Sequence, residues 1–137
     1  MAKTKQFTIT VDNRPGAAAA IAKTLGSAKV NILALLGTAQ GATGTVQLVA
    51  ENPKQARKAL DAAHISYKET PAETFHLPNK AGALAGCLAR LAARGVNLNS
   101  IHATAAKGGK TASIVVTVQG ESGMAAAQAE AGKTHHG

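Results

Sequence analysis

The stretch Asp12-Asn13-Arg14-Pro15-Gly16 decides the fold, because it separates a strand pattern from a helix pattern. Residues 6–12 alternate between apolar and polar side chains, which predicts a half-buried strand. After the stretch, apolar residues recur at helical spacing, at Ala18, Ile21, Ala22 and Leu25. Asn, Pro and Gly are typical turn formers, so the sequence predicts a strand, a tight turn and a helix.

A second copy of this arrangement begins at Leu77-Pro78-Asn79-Lys80-Ala81-Gly82. Gly82 lies 66 residues after Gly16, and Asn97 lies 66 residues after Asn31. The same offset pairs Thr45 with Thr111 and Val49 with Val115. Alanine richness does not explain these matches of Gly, Asn, Thr and Val. The chain is therefore predicted to contain two copies of one structural unit.

Each copy is predicted to follow the order β-α-β-β-α-β of a ferredoxin-like sandwich. The second helix of the first copy has Asn52 as N-cap, Pro53 at N1 and Gln55 at N3. In the second copy, residues 130–136 show no strand pattern, so its last strand is missing, irregular or recruited from elsewhere. We expect an α+β protein whose antiparallel sheets carry helices on one face. The expected domains are 1–70 and 71–131, followed by a disordered tail, 132–137.

Bulk composition limits the possible classes of protein. The 137 residues are 45% hydrophobic, only 2% are aromatic, and the net charge is +8. The basic residues are scattered, which is typical of a solvated surface. One cysteine excludes an internal disulfide, and no apolar stretch is long enough to span a membrane. We expect a soluble, cytoplasmic protein without a cofactor.

Two units that each open with strand, Asn-(Arg/Lys)-(Pro/Ala)-Gly, helix and Val-Asn-(Ile/Leu) resemble a pair of ACT domains. ACT domains are small regulatory modules that typically bind amino acids. The chain most resembles the serine-sensing module of phosphoglycerate dehydrogenase, and it is similar to small stand-alone two-ACT proteins. That module carries a histidine two residues before the turn asparagine, where this chain has Val11 and Leu77, so the resemblance does not imply serine as the ligand.

The resemblance implies an amino acid bound between two ACT units, and a homodimer. One unit would contribute its turn asparagine and the other an asparagine at the start of its second strand, as Asn13 with Asn97 and Asn79 with Asn31. Independently, the start of a helix offers free N–H groups to a carboxylate, and glycine allows close approach. The candidate ligand-binding residues are Asn13, Arg14, Pro15, Gly16, Ala17, Asn31, Asn79, Lys80, Gly82, Ala83 and Asn97.

Each candidate also has a purely structural interpretation. Asn and Gly are ordinary turn residues, and an asparagine after a helix often ends it in left-handed geometry. Arg14 and Lys80 could simply be solvated. Cys87 falls on a buried helix stripe, and His64, His76 and His102 lack metal-ligand spacing. No catalytic constellation is visible, so we expect neither an enzyme nor a metal site.

Three functions remain open at this point. The first is a non-catalytic regulatory protein that senses a small amino acid through unit packing or partner contacts. The second is a regulatory or structural subunit that binds an enzyme of amino-acid metabolism without a working ligand site. The third is RNA binding, because the RNA-recognition fold has the same element order. That fold stacks bases on aromatic residues of its central strands, and here only Phe7 and Phe75 are available, which disfavours nucleic acid.

Overall fold

The structure, a computed structural model, describes the backbone of residues 2–135 and their side chains except at 2, 121–122 and 131–135. It contains six strands and four helices within that part of the chain. The strands are β1 Ala2–Asp12, β2 Ile32–Gln40, β3 Thr43–Ala50, β4 Lys68–Pro78, β5 Leu98–Ala105 and β6 Thr111–Val118. The helices are α1 Ala17–Ser27, α2 Pro53–Ala62, α3 Ala83–Ala93 and α4 Gly120–His135.

Contacts divide the chain into two units. The first unit comprises Lys5–Thr70, and the second comprises the residues before Lys5 together with those from Pro71 onward. Strand order in the first unit is β2-β3-β1-β4, where residues 68–70 supply the β4 portion. Strand order in the second unit is β1-β4-β6-β5, where residues 2–4 supply the β1 portion. Both orders are that of a ferredoxin-like sandwich, which confirms the predicted fold class.

The core of the first unit lies between its helices and one face of its sheet. Phe7, Ile9 and Leu48 from the strands are at most 2% exposed, and they form one cluster with Leu25 and Leu60 from the helices. Alternation along β1 and helical spacing along α1 and α2 bring these side chains to the same layer. The segment 65–67, predicted as a strand, instead packs on this core as irregular chain, and β4 begins at Lys68.

The second unit completes its sheet with the N-terminal residues 2–4, because nothing after β6 forms a strand in the described chain. The sequence left open whether a strand was missing or recruited, and here one is recruited. Helix α4 closes the core instead, with Ala127 fully buried. It runs to His135 and thus into the stretch where a disordered tail is expected, while residues 136–137 lie outside the described residues.

The repeat continues beyond the hairpin at a different offset. Val11 pairs with Gly44, and Leu77, which follows Val11 by 66 residues, pairs with Ala112, which follows Gly44 by 68. The connection from β5 to β6 is two residues longer than that from β2 to β3, so Thr45 corresponds to Ser113. The matches of Thr45 with Thr111 and of Val49 with Val115 are therefore wrong in register. A gap-free comparison could not detect the insertion because neighbouring β-branched residues supplied chance identities.

Three helices end in the same way, with a left-handed residue after the last turn. Lys29 (φ 61°) follows α1, His64 (φ 57°) follows α2 and Gly95 (φ 75°) follows α3. The next residue then donates to a carbonyl in the last turn, as Val30 N–H does to Leu25 O at 2.9 Å. This is the Schellman arrangement. It shows that neither Asn31 nor Asn97 ends a helix, which removes the structural interpretation considered for them.

Exchange of the equivalent residues Lys29 and Gly95 is expected to move stability in opposite directions. Lys29→Gly should raise the free energy of unfolding by about 0.5–1 kcal/mol, since a left-handed conformation is strained for a residue with a Cβ. Gly95→Lys should lower it by about 1 kcal/mol. No atom lies within 4 Å of a Cβ built at Gly95, so backbone strain alone is tested. Urea unfolding measures both, and a neutral Gly95→Lys would contradict the assignment.

Candidate functional site

The turn of the first unit is fixed to the hairpin that joins β2 to β3. Asn13 donates its backbone N–H to Ala42 O at 2.9 Å and its side-chain Nδ2–H to Gly41 O at 2.8 Å. Gly16 then adopts a left-handed conformation with φ 87°, and α1 begins at Ala17. Pro15 therefore precedes the cap and lies outside the first helical turn, where the sequence predicted it.

The second unit builds its turn in the same way. Asn79 donates its backbone N–H to Lys110 O at 3.0 Å, and its Nδ2 donates to Ala106 O and Gly109 O at 3.1 and 2.9 Å. Gly82 has φ 88° and precedes α3. The amide N–H groups of both turn asparagines are thus directed to their own hairpins. Each asparagine retains its Oδ1 as an acceptor, which suits an ammonium group better than a carboxylate.

Neither turn helix has a side-chain cap, in contrast to α2. Asn52 accepts a hydrogen bond from Gln55 N–H at 3.1 Å, as the sequence predicted, whereas no side chain caps α1 or α3. Ala17 and Ala83 direct their N–H groups to the turn carbonyls at 3.3 and 3.2 Å, so these two groups are not free. The N–H groups of Gly16 and Gly82 have no acceptor among the described residues. Free donors and the helix dipole make both positions suitable for an anion.

The two asparagines that precede β2 and β5 occupy the other end of each unit. Asn31 donates Nδ2–H to Glu51 Oε2 at 3.1 Å, and Asn97 donates Nδ2–H to Gln119 Oε1 at 3.1 Å. Asn13 and Asn31 flank α1, whose eleven residues span roughly 16 Å, so the structure does not bring them together within the first unit. The same separation holds for Asn79 and Asn97 across α3.

A cavity of about 460 Å³ lies beside the turn of the first unit. Its lining includes Asp12, Arg14 and Ala17 of the turn together with Ile65 and Ser66 before β4. Arg14 Nε lies 3.9 Å from Asp12 Oδ2, and both side chains are largely exposed. This turn therefore carries one cation and one anion side by side, next to the free N–H of Gly16.

A smaller cavity, of about 230 Å³, lies beside the turn of the second unit. Asn79, Lys80 and Ala83 line it from the turn and Ala103–Ala105 from β5, with the aliphatic side chain of Leu84. Leu84 was predicted to face the core, but it is 39% exposed because it lies at this opening. Pro78 stands where the first unit has Asp12, so the second turn has a cation without a neighbouring acid. The two turns share a backbone geometry and differ in charge.

Other reactive side chains do not assemble into a site in the described part of the chain, where no three His, Cys, Asp or Glu residues converge as metal ligands. Cys87 is buried, and desolvation raises the pKa of its thiol, so it remains protonated at neutral pH. Burial lowers the pKa of His102, and neither of its ring nitrogens has a hydrogen-bond partner. The helices of the described chain include none that is long and apolar enough to cross a membrane.

Two ferredoxin-like units, each with an asparagine turn, a left-handed glycine and an uncapped helix, define the fold of a tandem ACT-domain protein. The sequence matches no family model and no curated protein. The structure is similar to a protein of Bacteroides thetaiotaomicron with TM-score 0.84 and 24% identity, over 97% of this chain and 89% of the other.

Two regulatory subunits of aspartate kinase are also similar in structure. The ligand-free subunit from Thermus thermophilus gives a TM-score of 0.69 at 15% identity, over 98% of this chain and 91% of that one. The subunit from Thermus flavus gives 0.58 at 16% identity, over 93% and 90%. At these identities the similarity concerns the fold, and it extends over nearly the whole of each chain.

Proposed function

We propose that this chain is a non-catalytic, cytoplasmic regulatory protein, a homodimer that binds a small amino acid at its two turns. The observation that carries the proposal is the paired geometry of Gly16 and Gly82. Both present a free N–H at the start of an uncapped helix, beside a cation and a small cavity. The similar aspartate kinase regulatory subunits, which belong to amino-acid metabolism, support the choice of ligand class and of an enzyme as partner.

The chemistry of the turns suits an amino acid. The ligand carboxylate would accept from the glycine N–H and lie near Arg14 or Lys80, since these are the free donors and cations. The ligand ammonium would donate to Oδ1 of Asn13 or Asn79, the acceptors that the hairpin leaves unused. Asn31 and Asn97 would approach the ligand from the other ACT unit, as the resemblance implies. Ligand binding would then alter packing, and a partner would respond to that change.

RNA binding receives no support from the side chains. Phe7 and Phe75 are both completely buried, and Tyr67 packs edge-on against Phe7 with ring centroids 5.4 Å apart. No phenylalanine is thus available for stacking on a base, which is the main contact of the RNA-recognition fold. A subunit without a working ligand site remains the second candidate, because the side-chain amides of Asn13 and Asn79 are already committed to the hairpins.

Calorimetric titration with each of the twenty amino acids tests the proposal. We expect heat of binding with at least one small amino acid, and Arg14→Ala and Lys80→Ala should each weaken binding because each removes a cation beside the carboxylate. Lys54→Ala is the matched control, since Lys54 follows the N-cap of the capped helix α2. No heat with any amino acid, combined with stable capture of an enzyme by the purified chain, would favour the subunit without a ligand site.

A further inference from the structure

The edge strand β2 of the first unit is unusually apolar and exposed. Leu33, Leu35 and Leu36 are 59%, 42% and 39% exposed, and they account for three of the four large hydrophobic side chains exposed in the described chain. Strand β2 pairs with β3 on one side and ends the strand order on the other. Its outer backbone N–H and C=O groups are therefore available to another strand.

The register shows that the exposed leucines lie on both faces of the sheet. Leu35 is opposite Leu48, which is buried beneath the helices, and Leu36 is opposite Gln47, on the other face. Residues opposite each other in an antiparallel pair point to the same face. A partner packed on one face would leave the other leucine in water. A strand added at the edge would place side chains beside both.

Strand β2 also lacks the features that keep exposed edges from pairing. The segment Ile32–Gln40 contains no charged residue and no proline, although the chain carries a net charge of +8. Isolated edge strands are normally protected by such residues, above all by lysine. The equivalent strand β5 is polar where β2 is apolar, with Asn99 in place of Leu33 and His102 in place of Leu36. Asn99 also donates to Val118 O at 3.3 Å within its own sheet.

We propose that β2 pairs antiparallel with β2 of a second copy of this chain and forms the dimer through the first unit alone. A neutral strand favours self-association, because two chains of equal positive charge repel each other wherever their charged surfaces meet. Antiparallel pairing of one strand with itself satisfies the two-fold symmetry of most homodimers. Nine paired residues supply about nine backbone hydrogen bonds, a number typical of specific interfaces.

This inference rests on the homodimer of the proposed function and names its surface. Light scattering coupled to gel filtration, without any amino acid, should give twice the 13.7 kDa of one chain. The variant Leu33→Lys/Leu36→Lys should elute as a monomer, its dimer dissociation constant raised about a hundredfold or more. The matched control Asn99→Lys on β5 should remain a dimer. Because the measurement omits amino acids, failure of ligand binding would leave its result unchanged.

A second variant guards against loss of fold. Leu36→Cys places a thiol at the centre of β2, and oxidation should link two copies, whereas His102→Cys at the equivalent position of β5 should not link them. The native Cys87 is completely buried and does not interfere. A monomeric wild-type chain, or a folded Leu33→Lys/Leu36→Lys variant that stays dimeric, would overturn the proposal.

Discussion

Glu73→Leu is expected to stabilise the second unit at neutral pH and to remove a pH dependence of its stability. Glu73 has no solvent exposure, and neither carboxylate oxygen has a hydrogen-bond partner among the described residues. It faces the core where the first unit has Phe7, because Phe7 pairs with Leu48 and Glu73 pairs with Val116 at the equivalent place. Replacement by leucine should add about 1–3 kcal/mol, the usual cost of an unsatisfied buried polar group.

The direction of the pH effect follows from the pKa of Glu73. Burial raises the pKa of this carboxyl, and Lys3 opposes the shift in part. The folded state therefore binds the proton more tightly than the unfolded state, whose glutamate pKa is about 4.3. Stability falls as pH rises from that value through the higher folded pKa, and then stays low. The advantage of Glu73→Leu over wild type should grow across the same interval.

Urea unfolding at a series of pH values measures this effect. Glu73→Gln should also abolish the pH dependence, since it cannot titrate, but it should gain less stability because the amide stays polar. Glu51→Gln, at an exposed glutamate of the first unit, is the control that should keep the wild-type pH profile. Superimposable pH profiles for wild type and Glu73→Leu would show that the carboxylate reaches water and that the burial described here is wrong.

Arg90→Ala/Arg94→Ala is expected to cost about 3 kcal/mol of stability, by leaving a buried carboxylate without a counter-charge. The Glu130 side chain is 3% exposed, and its oxygens lie 3.4 Å from Arg90 Nε and 3.1 Å from Arg94 Nε. This cluster joins α3 to α4, whose Ala-rich sequence supplies little apolar surface of its own. The double variant should therefore also make α4 accessible to proteases.

Two further variants identify the origin of that loss. Glu130→Leu should be much milder, because both arginines are partly exposed, at 47% and 30%, and can return to water. Arg57→Ala, which breaks the more exposed pair with Glu69 in the first unit, should also cost less. If Glu130→Leu were as destabilising as the double arginine variant, packing of α4 would depend on the glutamate stem and not on its charge.

Much of the fold could be predicted from the sequence, because its signals are local. The alternation of Phe7, Ile9 and Val11, the Asn52 cap and the 66-residue repeat each depend on neighbouring residues, and the predicted ferredoxin-like units are confirmed. The recruitment of residues 2–4 by the second unit could not be predicted. It joins the start of the chain to a sheet that begins near residue 71, and no local pattern records such a long-range pairing.

The candidate site was predicted in position but not in chemistry. The turns at Asn13 and Asn79 lie where the sequence placed them, each beside a helix without a cap. The hydrogen bonds of their side chains to the β2–β3 and β5–β6 hairpins could not be foreseen, because they depend on how the hairpin folds back. A signal was available for α1 and α3, since no Ser, Thr or Asp directly precedes either helix. Whether the eleven candidate residues bind a ligand stays a prediction.

A nitrogen–proton correlation spectrum recorded during amino-acid titration tests the central claim most directly. The claim is that the free N–H groups of Gly16 and Gly82 receive the ligand carboxylate. The amide signals of these two glycines should shift with at least one small amino acid, while that of Gln55, already bonded to Asn52, should stay in place. If binding occurs and both glycine signals remain fixed, or if none of the twenty amino acids moves them, the turns are not the ligand site.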